Sequence, residues 1–335
     1  MIVVTGGTGM VGAHLLFELV LNGEKVRAIK RNTSSLSNVK QIFSYYSNQS
    51  DELFNQIEWV DGDILDLISL EEAFEGVEKV YHAAAFVSFA PAEKQKVLDN
   101  NINGTANVVN ACLTKGVKKL CHVSSIAALG SSADGGSIDE TMIWSPSKRH
   151  SSYSISKFHS EMEVWRGIEE GLEAVIVNPS VIIGPGNWDK SSSALFSAIY
   201  NGLKFYPSGN TGYVDVRDVA KCVVMLMNSN VSGERFILNA GERTYKETFG
   251  LIAQSVDKPA PSIAIKRWLA EIGWRVEWLR CFVFRRTPQI TRETVRAGYN
   301  NSTYSNKKTI ETLGFSFIPI EQSIAETGKL FLKDK

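Results

Sequence analysis

The sequence contains little cysteine and little histidine. Four cysteines and five histidines occur in 335 residues, and no two cysteines form a C-x-x-C pair. Metal sites and disulfide frameworks need such residues at close spacing, so neither is expected, and a reducing cytoplasm fits this composition best. The cysteines are Cys112, Cys121, Cys222 and Cys281.

The chain also lacks a charge excess and a long apolar run. Its 36 basic side chains balance 36 acidic ones, which gives no general support for nucleic-acid binding. No run approaches the length of a membrane span, and the first residues show neither a basic leader nor a cleavage site. We therefore expect a cytoplasmic protein without a membrane span and without a nucleic-acid partner.

What the chain does contain is a regular alternation of short apolar runs and helical patterns. Repeated strand-helix units of this kind predict an α/β fold with a doubly wound parallel sheet. The runs suited to buried strands lie at 1–5, 25–29, 57–60, 78–83, 118–124 and 173–178, and the helical patterns at 10–22, 68–75, 99–115 and 151–170.

The alternation changes after Asn178 and Pro179, where glycines and a proline cluster at 184–186. We expect residues 1–178 to form the sheet domain and residues 179–335 to form mainly a smaller second region. A helix near 216–228 and a strand near 234–239 lie within 213–240, part of which we expect to return to the sheet.

An aromatic and basic segment spans 259–290. Its aromatic residues have irregular helical spacing, which usually indicates packing, although a membrane-surface or substrate-cover role is the alternative. They are Trp268, Trp274, Trp278, Phe282 and Phe284.

A glycine-rich loop directly follows the first apolar run. A strand that ends in glycines lets the backbone approach a pyrophosphate, and the next helix presents unpaired N–H groups to the anion. A dinucleotide site is therefore the leading hypothesis, with an ordinary tight turn as the alternative. The loop residues are Thr5, Gly6, Gly7, Thr8, Gly9, Met10, Val11 and Gly12.

Two further elements carry groups suited to proton exchange. Tyr153 and Lys157 are four residues apart in a predicted helix and so project from one face. A nearby cation favours the phenolate and should lower the pKa of the tyrosine. Ser124 and Ser125 end a predicted strand, where a hydroxyl can hold a substrate oxygen or simply cap a turn.

From residue 1 to roughly 325 the chain resembles the extended short-chain dehydrogenases/reductases of the epimerase/dehydratase superfamily, which have a Rossmann-type fold. Besides the glycine loop, the serine pair and the Tyr-x-x-x-Lys element, several family motifs occur in the family's order. They are Asp63-Ile64, Ala83-Ala84-Ala85, the Asn-x-x-Gly-Thr motif from Asn101 to Thr105, Asn178-Pro179-Ser180-Val181, and the Val-Asp-Val element within Tyr213–Ala220, whose acidic residues we expect to be structural.

The resemblance implies that Ser125, Tyr153 and Lys157 form a catalytic triad. Tyr153 would be the general acid that protonates a carbonyl oxygen while the nicotinamide supplies hydride. Lys157 would lower the pKa of Tyr153 and bind the nicotinamide ribose, and Ser125 would polarise the carbonyl. Asn101 would position a water. The cofactor would be bound by Thr5–Gly12, Asp63, Ile64, Ala83, Ala84, Ala85, Ser124, Tyr153, Lys157, Asn178, Pro179, Ser180 and Val181. Residues 179–335 would mainly bind the substrate, and the helices at 99–115 and 151–170 would form the interface of a possible homodimer.

The end of the second predicted strand bears on the choice of cofactor. NAD enzymes offer a carboxylate there for the ribose hydroxyls, whereas a cation accommodates a 2′-phosphate. Here the position is Lys30, followed by Arg31. We predict a preference for NADP(H), with NAD(H) as the alternative if both cations are merely solvated.

Local departures separate members of this family by reaction. The Ile126-Ala127-Ala128 segment after Ser125 disfavours the dehydratases, which resemble one another in an acidic pair there. Three degenerate signals resemble the dihydroflavonol 4-reductase-like branch: Val26–Arg31, Asp139-Glu140 with Trp144, and Thr287–Thr291. We predict an NADPH-dependent reductase of a ketone or aldehyde in a small, moderately apolar molecule. An NAD-dependent nucleotide-sugar epimerase and a non-catalytic NADP(H) sensor are the alternatives.

Overall fold

The computed structural model describes residues 1–130, 136–147, 150–284 and 291–335. The strands form at runs rich in valine and isoleucine, whose branched side chains pack well on a pleated sheet. Their bounds are β1 Ile2–Thr5, β2 Val26–Lys30, β3 Glu58–Asp61, β4 Lys79–His82, β5 Lys119–Val123, β6 Ala174–Pro179, β7 Val181–Ile183, β8 Phe205–Tyr206, β9 Asn210–Asp215, β10 Glu234–Leu238, β11 Gly241–Thr244 and β12 Ile263–Ala264.

Helices alternate with these strands along the chain. Several of them begin at a side-chain cap, as α7 does where the Ser151 hydroxyl accepts a hydrogen bond from Ser154 N at 2.9 Å. The helices are α1 Met10–Leu21, α2 Ser37–Tyr46, α3 Ser50–Asn55, α4 Leu67–Ala73, α5 Lys94–Leu98, α6 Gly104–Lys115, α7 Ser152–Glu169, α8 Ala194–Tyr200, α9 Val216–Asn228, α10 Tyr245–Ser255, α11 Arg267–Phe284, α12 Arg292–Ala297, α13 Lys307–Leu313 and α14 Ile320–Lys333.

A central parallel sheet contains seven strands of the described chain, in the order β10-β6-β5-β4-β1-β2-β3. Every strand pair in it is parallel. From β1 the strands β2 and β3 follow toward one edge of the sheet, and from β4 the strands β5, β6 and β10 follow toward the other edge. The topological switch point therefore lies between β1 and β4, and α/β proteins bind ligands at the carboxyl ends of the strands there. The predicted α/β doubly wound fold and its six early strands are confirmed.

Helices cover both faces of the central sheet. On one face, α1, α2 and α9 contribute to a buried apolar cluster that includes Leu15, Phe43 and Val223. On the other, α4, α6 and α7 bury Leu70 and Val108 with their neighbours. Because both faces are covered, the strands are apolar on both sides, and the carboxyl edge is left for polar groups.

The second region has its own small sheets and core. Strands β11, β9 and β7 form a three-stranded sheet, and β12 pairs with β8. Helices α8, α10 and α14 supply an apolar cluster that includes Phe196, Ile252 and Phe331. Helix α9 and strand β10 return to the central sheet, and α13 packs on β10.

Several elements differ from the sequence-based expectation. Helices α2 and α3 occupy the connection between β2 and β3, where the sequence indicated no helix. The predicted helix at 99–115 is divided, because Asp99–Asn103 forms a π-helical turn before α6. The basic and aromatic segment contains one long helix, α11. None of the helices in the described ranges has the length and apolarity required to cross a bilayer.

Candidate active site

The glycine loop is held tightly against the loop after β4. Gly6 has φ +74°, and a Cβ on it would lie 2.5 Å from Ala84 N. A Cβ on Gly12 would lie 2.1 Å from Gly6 O, a distance that no side chain tolerates. Gly9 N donates to Gly6 O at 2.9 Å and closes the turn. Gly6 and Gly12 therefore accept only glycine if the backbone is to keep this shape.

The N-terminus of α1 opens from this loop without a side-chain cap. Gly9 is the N-cap residue, no side chain bonds to the first-turn N–H groups, and the first turn contains no acidic residue. A helix start of this kind presents unpaired N–H groups and a partial positive charge to an anion. It fits the pyrophosphate of a dinucleotide, which this chain's motif predicts.

A cavity of about 330 Å³ lies at the carboxyl ends of β1, β2, β3 and β4. It combines many of the predicted cofactor residues with several that the sequence did not single out. The predicted residues are Thr5, Gly6, Thr8, Gly9, Lys30, Arg31, Asp63, Ile64, Ala83, Ala84 and Ala85. The additional residues are Ile29, Ser34, Gly62, Phe86, Asn100 and Lys190.

Lys190 is the addition that comes from the second region. It is exposed and follows the 184–186 loop, which packs on the start of α1: a Cβ on Gly186 would lie 3.3 Å from the Met10 Cβ. Ser193 belongs to the same segment, and its hydroxyl donates to Gly184 O at 3.2 Å. The second region thus supplies a cation to the cavity, and no local pattern around Lys190 indicated it.

A buried chain of hydrogen bonds fixes the strand ends beneath the glycine loop. Thr5 Oγ1 bonds to His82 Nδ1 at 2.7 Å, and His82 Nε2 bonds to Thr105 Oγ1 at 3.0 Å. Burial lowers the pKa of His82 to about 3, so the ring is neutral and can donate from one nitrogen and accept at the other. This explains the threonines that begin the glycine loop and end the Asn-x-x-Gly-Thr motif.

Asn101 of that same motif holds the loop after β4. Its Oδ1 accepts from Phe86 N at 2.7 Å, and its Nδ2 donates to Phe86 O at 3.0 Å and to Ser156 Oγ at 2.9 Å. The side chain is buried, and these contacts occupy its amide. The predicted role of positioning a water remains a prediction, while the contacts give Asn101 a clear task in shaping the cavity wall.

The structure brings Ser125, Tyr153 and Lys157 together beyond this cavity. Ser125 follows β5, and its hydroxyl lies close enough to the Tyr153 phenol to influence the pKa of that phenol. The Ser154 hydroxyl donates to Ala127 O at 2.6 Å and so ties the start of α7 to the segment after Ser125. Lys157 is buried one helical turn further on, and its Nζ donates to Val123 O at 2.9 Å.

The predicted direction of the Tyr153 pKa is wrong. Burial raises the pKa of Tyr153, and the neighbouring Ser125 hydroxyl opposes this rise only in part. The Lys157 ammonium is directed at the end of β5 and is not among the groups that lower the pKa of Tyr153. Burial in turn lowers the pKa of Lys157 to about 8, and the Glu161 charge opposes that fall. The phenol is therefore protonated at neutral pH.

A buried carboxylate behind the triad was not singled out in the sequence. Glu161 lies one turn after Lys157 on α7 and is fully buried. Its Oε1 accepts from Asn178 Nδ2 at 2.5 Å, and its Oε2 lies 3.3 Å from Arg235 NH1. Burial raises the pKa of Glu161, and its polar and cationic neighbours oppose the rise. The spacing of four residues from Lys157 was the signal that could have found it.

The Asn178–Val181 motif and Ser124 form the floor next to the triad. Asn178 Nδ2 also donates to Ser125 O at 3.0 Å, and the Ser180 hydroxyl donates to Leu238 O at 3.2 Å. Ser124 is buried, and its N–H donates to Val177 O at 2.8 Å. None of these residues lines the cavity at the glycine loop. The loop residues Gly7, Met10, Val11 and Gly12 also lie outside its lining, as do Pro179 and Val181.

The end of β2 has a carboxylate neighbour that the linear sequence did not reveal. β2 and β3 pair so that Lys30 lies opposite Asp61, and Lys30 Nζ forms an ion pair with the Asp61 carboxylate. The end of β2 itself carries no carboxylate, but β3 places one beside Lys30 in space. Arg31 makes no ion pair with any residue in the described part of the chain, so its guanidinium is available to a ligand beside Ser34.

Other singled-out residues have structural contacts. Asp215 caps α9 by accepting from Arg217 N at 2.8 Å, and Asp218 accepts from Ile318 N at 2.7 Å, as expected for structural acids. Glu140 Oε1 accepts from Ile237 N at 2.8 Å on the edge strand β10. Residues 287–290 lie outside the described residues.

Cysteine and potential metal ligands remain apart in this structure. All four cysteines are buried. Across the described ranges no group of three or more histidine, cysteine and carboxylate side chains could hold a metal ion.

Comparisons with known proteins agree with this geometry. The profile of the NAD dependent epimerase/dehydratase family matches residues 2–241. The chain is 31% identical over 299 residues to sterol demethylase protein B of Methylococcus capsulatus, which covers 88% of this chain and 86% of that protein. A Synechocystis sp. protein that carries the provisional name dihydroflavonol 4-reductase is 28% identical over 336 residues, 98% of this chain and 93% of its own length.

A solved structure is similar along its full length. The crystal structure of gox2253 superimposes with a TM-score of 0.82 at 28% sequence identity, and the match covers 100% of this chain and 98% of that chain.

Proposed function

Because this chain belongs to the NAD dependent epimerase/dehydratase family, we propose that it is an NADPH-dependent reductase of a ketone or aldehyde in a small, moderately apolar molecule. The broader class is established, since the family and the reductase-like relatives indicate an NAD(P)-dependent oxidoreductase-type enzyme. The reaction direction, the cofactor preference and the residue roles below are the proposal.

The observation that carries the proposal is the position of the Ser125 hydroxyl after β5, next to the protonated phenol of Tyr153 at the start of α7. In the reductive direction Tyr153 donates its proton to the substrate carbonyl oxygen, and the Ser125 hydroxyl holds that oxygen. The nicotinamide, when bound, supplies the hydride. Lys157 would bind the nicotinamide ribose beside Tyr153, because its ammonium is directed at the end of β5 and not at the phenol.

The glycine loop and α1 are the proposed cofactor cradle. The first-turn N–H groups of α1 would bind the pyrophosphate, with Thr8 and Lys190 beside them in the cavity. Arg31 and Ser34 would bind the 2′-phosphate that distinguishes NADPH from NADH, since a guanidinium is suited to planar contacts with phosphate. Lys30 contributes less, because Asp61 already neutralises it.

An apolar substrate is supported by the side chains next to Tyr153. The Phe89 ring lies edge-on to the Tyr153 ring with centroids 5.7 Å apart, and Phe89 and the neighbouring Val87 are both exposed. Apolar walls with few polar groups are typical of small-molecule pockets. The relatives named for a sterol and for a dihydroflavonol favour the same substrate class.

The test combines the purified protein, NADPH and a panel of apolar aldehydes and ketones. We expect a loss of the nicotinamide absorbance that depends on the carbonyl compound. Tyr153→Phe should reduce this rate by about 10²–10⁴-fold, the usual contribution of a general acid, while NADPH still binds. NADPH binding without turnover across a broad panel would favour the sensor alternative.

A second candidate, an NAD-dependent nucleotide-sugar epimerase, is favoured by one observation. The Asp61 carboxylate beside Lys30 is a group that could accept hydrogen bonds from the ribose hydroxyls of NAD. Tightly bound NAD that copurifies with the protein, together with interconversion of nucleotide sugars, would support the epimerase and overturn the reductase.

A further inference from the structure

Helix α11 carries a stripe of exposed apolar side chains. Trp268, Ile272, Val276 and Leu279 are 60%, 52%, 61% and 56% exposed, and Leu269 beside them is 43% exposed. Their spacings of three and four residues place them along one face of the helix. We call these five residues the outer stripe. An exposed patch of this kind is uncommon on a protein that meets only water.

Packing against the rest of the protein does not require the outer stripe. The side of α11 that faces the protein is provided by other residues, of which Ala270 and Cys281 are buried. α11 packs on α12. A helix with a buried inner side and a separate exposed apolar face has a second surface to cover.

The surroundings of the outer stripe are basic. Five lysines and arginines but only two glutamates lie between residues 258 and 284, in a chain whose basic and acidic side chains are equal in number. Both glutamates pair with arginines within α11, Glu271 with Arg275 and Glu277 with Arg280. Lys266 and Arg267 are exposed at the start of the helix. Cations flanking an apolar face complement a surface with negative headgroups at its boundary.

The helix is also connected to the proposed active site. α11 packs on α12, and Glu293 of α12 accepts a hydrogen bond from Ser152 N at 3.2 Å. Ser152 directly precedes Tyr153. α11 is therefore linked through α12 to the start of α7, the helix that carries the proposed general acid.

We propose that α11 is a membrane-surface helix. Its outer stripe enters the boundary between headgroups and acyl chains of a bilayer that contains anionic lipids, and the flanking lysines and arginines contact the phosphates. The helix lies on the membrane and does not cross it, because no helix in the described ranges could span a bilayer. This inference concerns an interaction surface and goes beyond the proposed reductase activity.

The test measures flotation of the full chain with vesicles at low salt. We expect at least about tenfold more protein to float with vesicles of phosphatidylcholine and phosphatidylglycerol than with phosphatidylcholine alone, and added salt to reduce this binding. Trp268→Ser with Leu279→Ser should reduce it about tenfold, and Lys266→Gln with Arg267→Gln should reduce the preference for the anionic vesicles.

The matched control is Ile68→Ser, which removes an apolar side chain that is 71% exposed on α4. This variant should float like the unchanged protein, and circular dichroism should show that all variants fold. The proposal is overturned if the unchanged protein does not float, or if Ile68→Ser lowers flotation as much as the stripe variant.

Two other occupants of the outer stripe would also overturn the proposal. A second copy would appear as a lower mass of the stripe variant by light scattering, without vesicle binding by either protein. A substrate-cover role would appear as a raised KM in the stripe variant, again without vesicle binding. Because flotation needs no turnover, its failure is distinguishable from failure of the reductase proposal.

Discussion

The floor of the glycine loop and helix α11 place polar and apolar groups in opposite ways. Beneath the loop, the polar side chains of Thr5, His82 and Thr105 are buried and bonded to one another. On α11, Trp268 and Leu279 are apolar and exposed. A buried polar group costs free energy unless it has a partner, so the first arrangement specifies one geometry. The exposed apolar side chains of α11 instead form a surface that another molecule can contact.

The triad extends the comparison to charge, since Lys157 and Glu161 are buried whereas the arginines of α11 are exposed. Buried charge is the more costly arrangement, because a charged group loses its hydration when it leaves water. The following predictions are arranged by the expected size of the effect, and each one could remove the contrast between the two regions.

The largest expected effect follows from the burial of the Lys157 ammonium. Its pKa falls from 10.5 to about 8 on folding, so below pH 8 the folded state carries a proton that it binds less tightly than the unfolded chain does. Lys157→Met should therefore raise the free energy of unfolding by about 3 kcal/mol at neutral pH, from roughly 1.4 kcal/mol per pKa unit, while turnover is lost.

The direction of this stability change can be tested by varying the pH. Between about pH 8 and 10.5 the unfolded chain binds more protons than the folded one, so the unchanged protein gains stability from this group as the pH rises. The advantage of Lys157→Met in urea unfolding should shrink over that range. If Lys157→Met has a lower free energy of unfolding than the unchanged protein at pH 7, burial of the Lys157 ammonium does not destabilise the fold.

The next effect concerns close packing at the glycine loop. Gly12→Ala would place a Cβ against Gly6 O, and we expect the free energy of unfolding to fall by about 1–3 kcal/mol and NADPH binding to weaken. Gly250→Ala in α10 is the matched control, because a Cβ there meets nothing within 4 Å. Thermal unfolding of the two variants with and without NADPH makes the comparison, and equal behaviour would contradict it.

A smaller effect is expected on the pH profile when Glu161 is changed. The Glu161 charge raises the pKa of Lys157, so Glu161→Gln should lower that pKa further. The alkaline limb of kcat/KM for carbonyl reduction should move to lower pH by about one unit or less. Glu163→Gln, a partly exposed carboxylate paired with Arg166 on the same helix, should leave the limb in place. A purely structural Glu161 would lower activity without moving the limb.

Cofactor preference should change by a similar or smaller amount. Arg31→Gln removes a cation of the cavity that has no ion pair within the described chain, and we expect NADPH affinity to fall about tenfold with little change for NADH. Lys30→Gln should have less effect, because Asp61 already occupies Lys30. Fluorescence titration with both cofactors measures this, and equal losses for NADPH and NADH would contradict the assignment.

The smallest effect is expected on α11. Leu279→Ser removes an exposed side chain, so the free energy of unfolding should change by no more than about 0.5 kcal/mol. Val108→Ser in α6, which is buried, should by contrast be strongly destabilised in the same urea titration. A large loss of stability in Leu279→Ser would show that the stripe packs against the protein and would remove the contrast.

The sequence predicted the features that depend on neighbours along the chain. The six early strands follow from local apolar runs, and the positions of the glycine loop and of Tyr153 with Lys157 follow from spacing. Helix α2 could also have been predicted, because its buried residues Val39, Ile42 and Phe43 have the three- and four-residue spacing of one helical face. Helix α3 has only six residues, of which Phe54 alone is buried, so its pattern is weak.

The features that the sequence missed depend on contacts between distant segments. Asp61 reaches Lys30 through strand register, and Lys190 reaches the cavity through the packing of the second region on α1. The pKa of Tyr153 was predicted in the wrong direction because helical spacing shows that Lys157 is near but not that its ammonium is directed at Val123. Spacing gives proximity, and only packing gives orientation and burial.

The central claim is that the cradle at the glycine loop holds NADPH with its reactive end at Tyr153. The most direct measurement is a crystal structure of the protein with NADPH. The account predicts the pyrophosphate at the first turn of α1, the 2′-phosphate beside Arg31 and Ser34, and the nicotinamide next to Tyr153 and Lys157. A nicotinamide directed away from Tyr153, or a cofactor bound elsewhere, would contradict it.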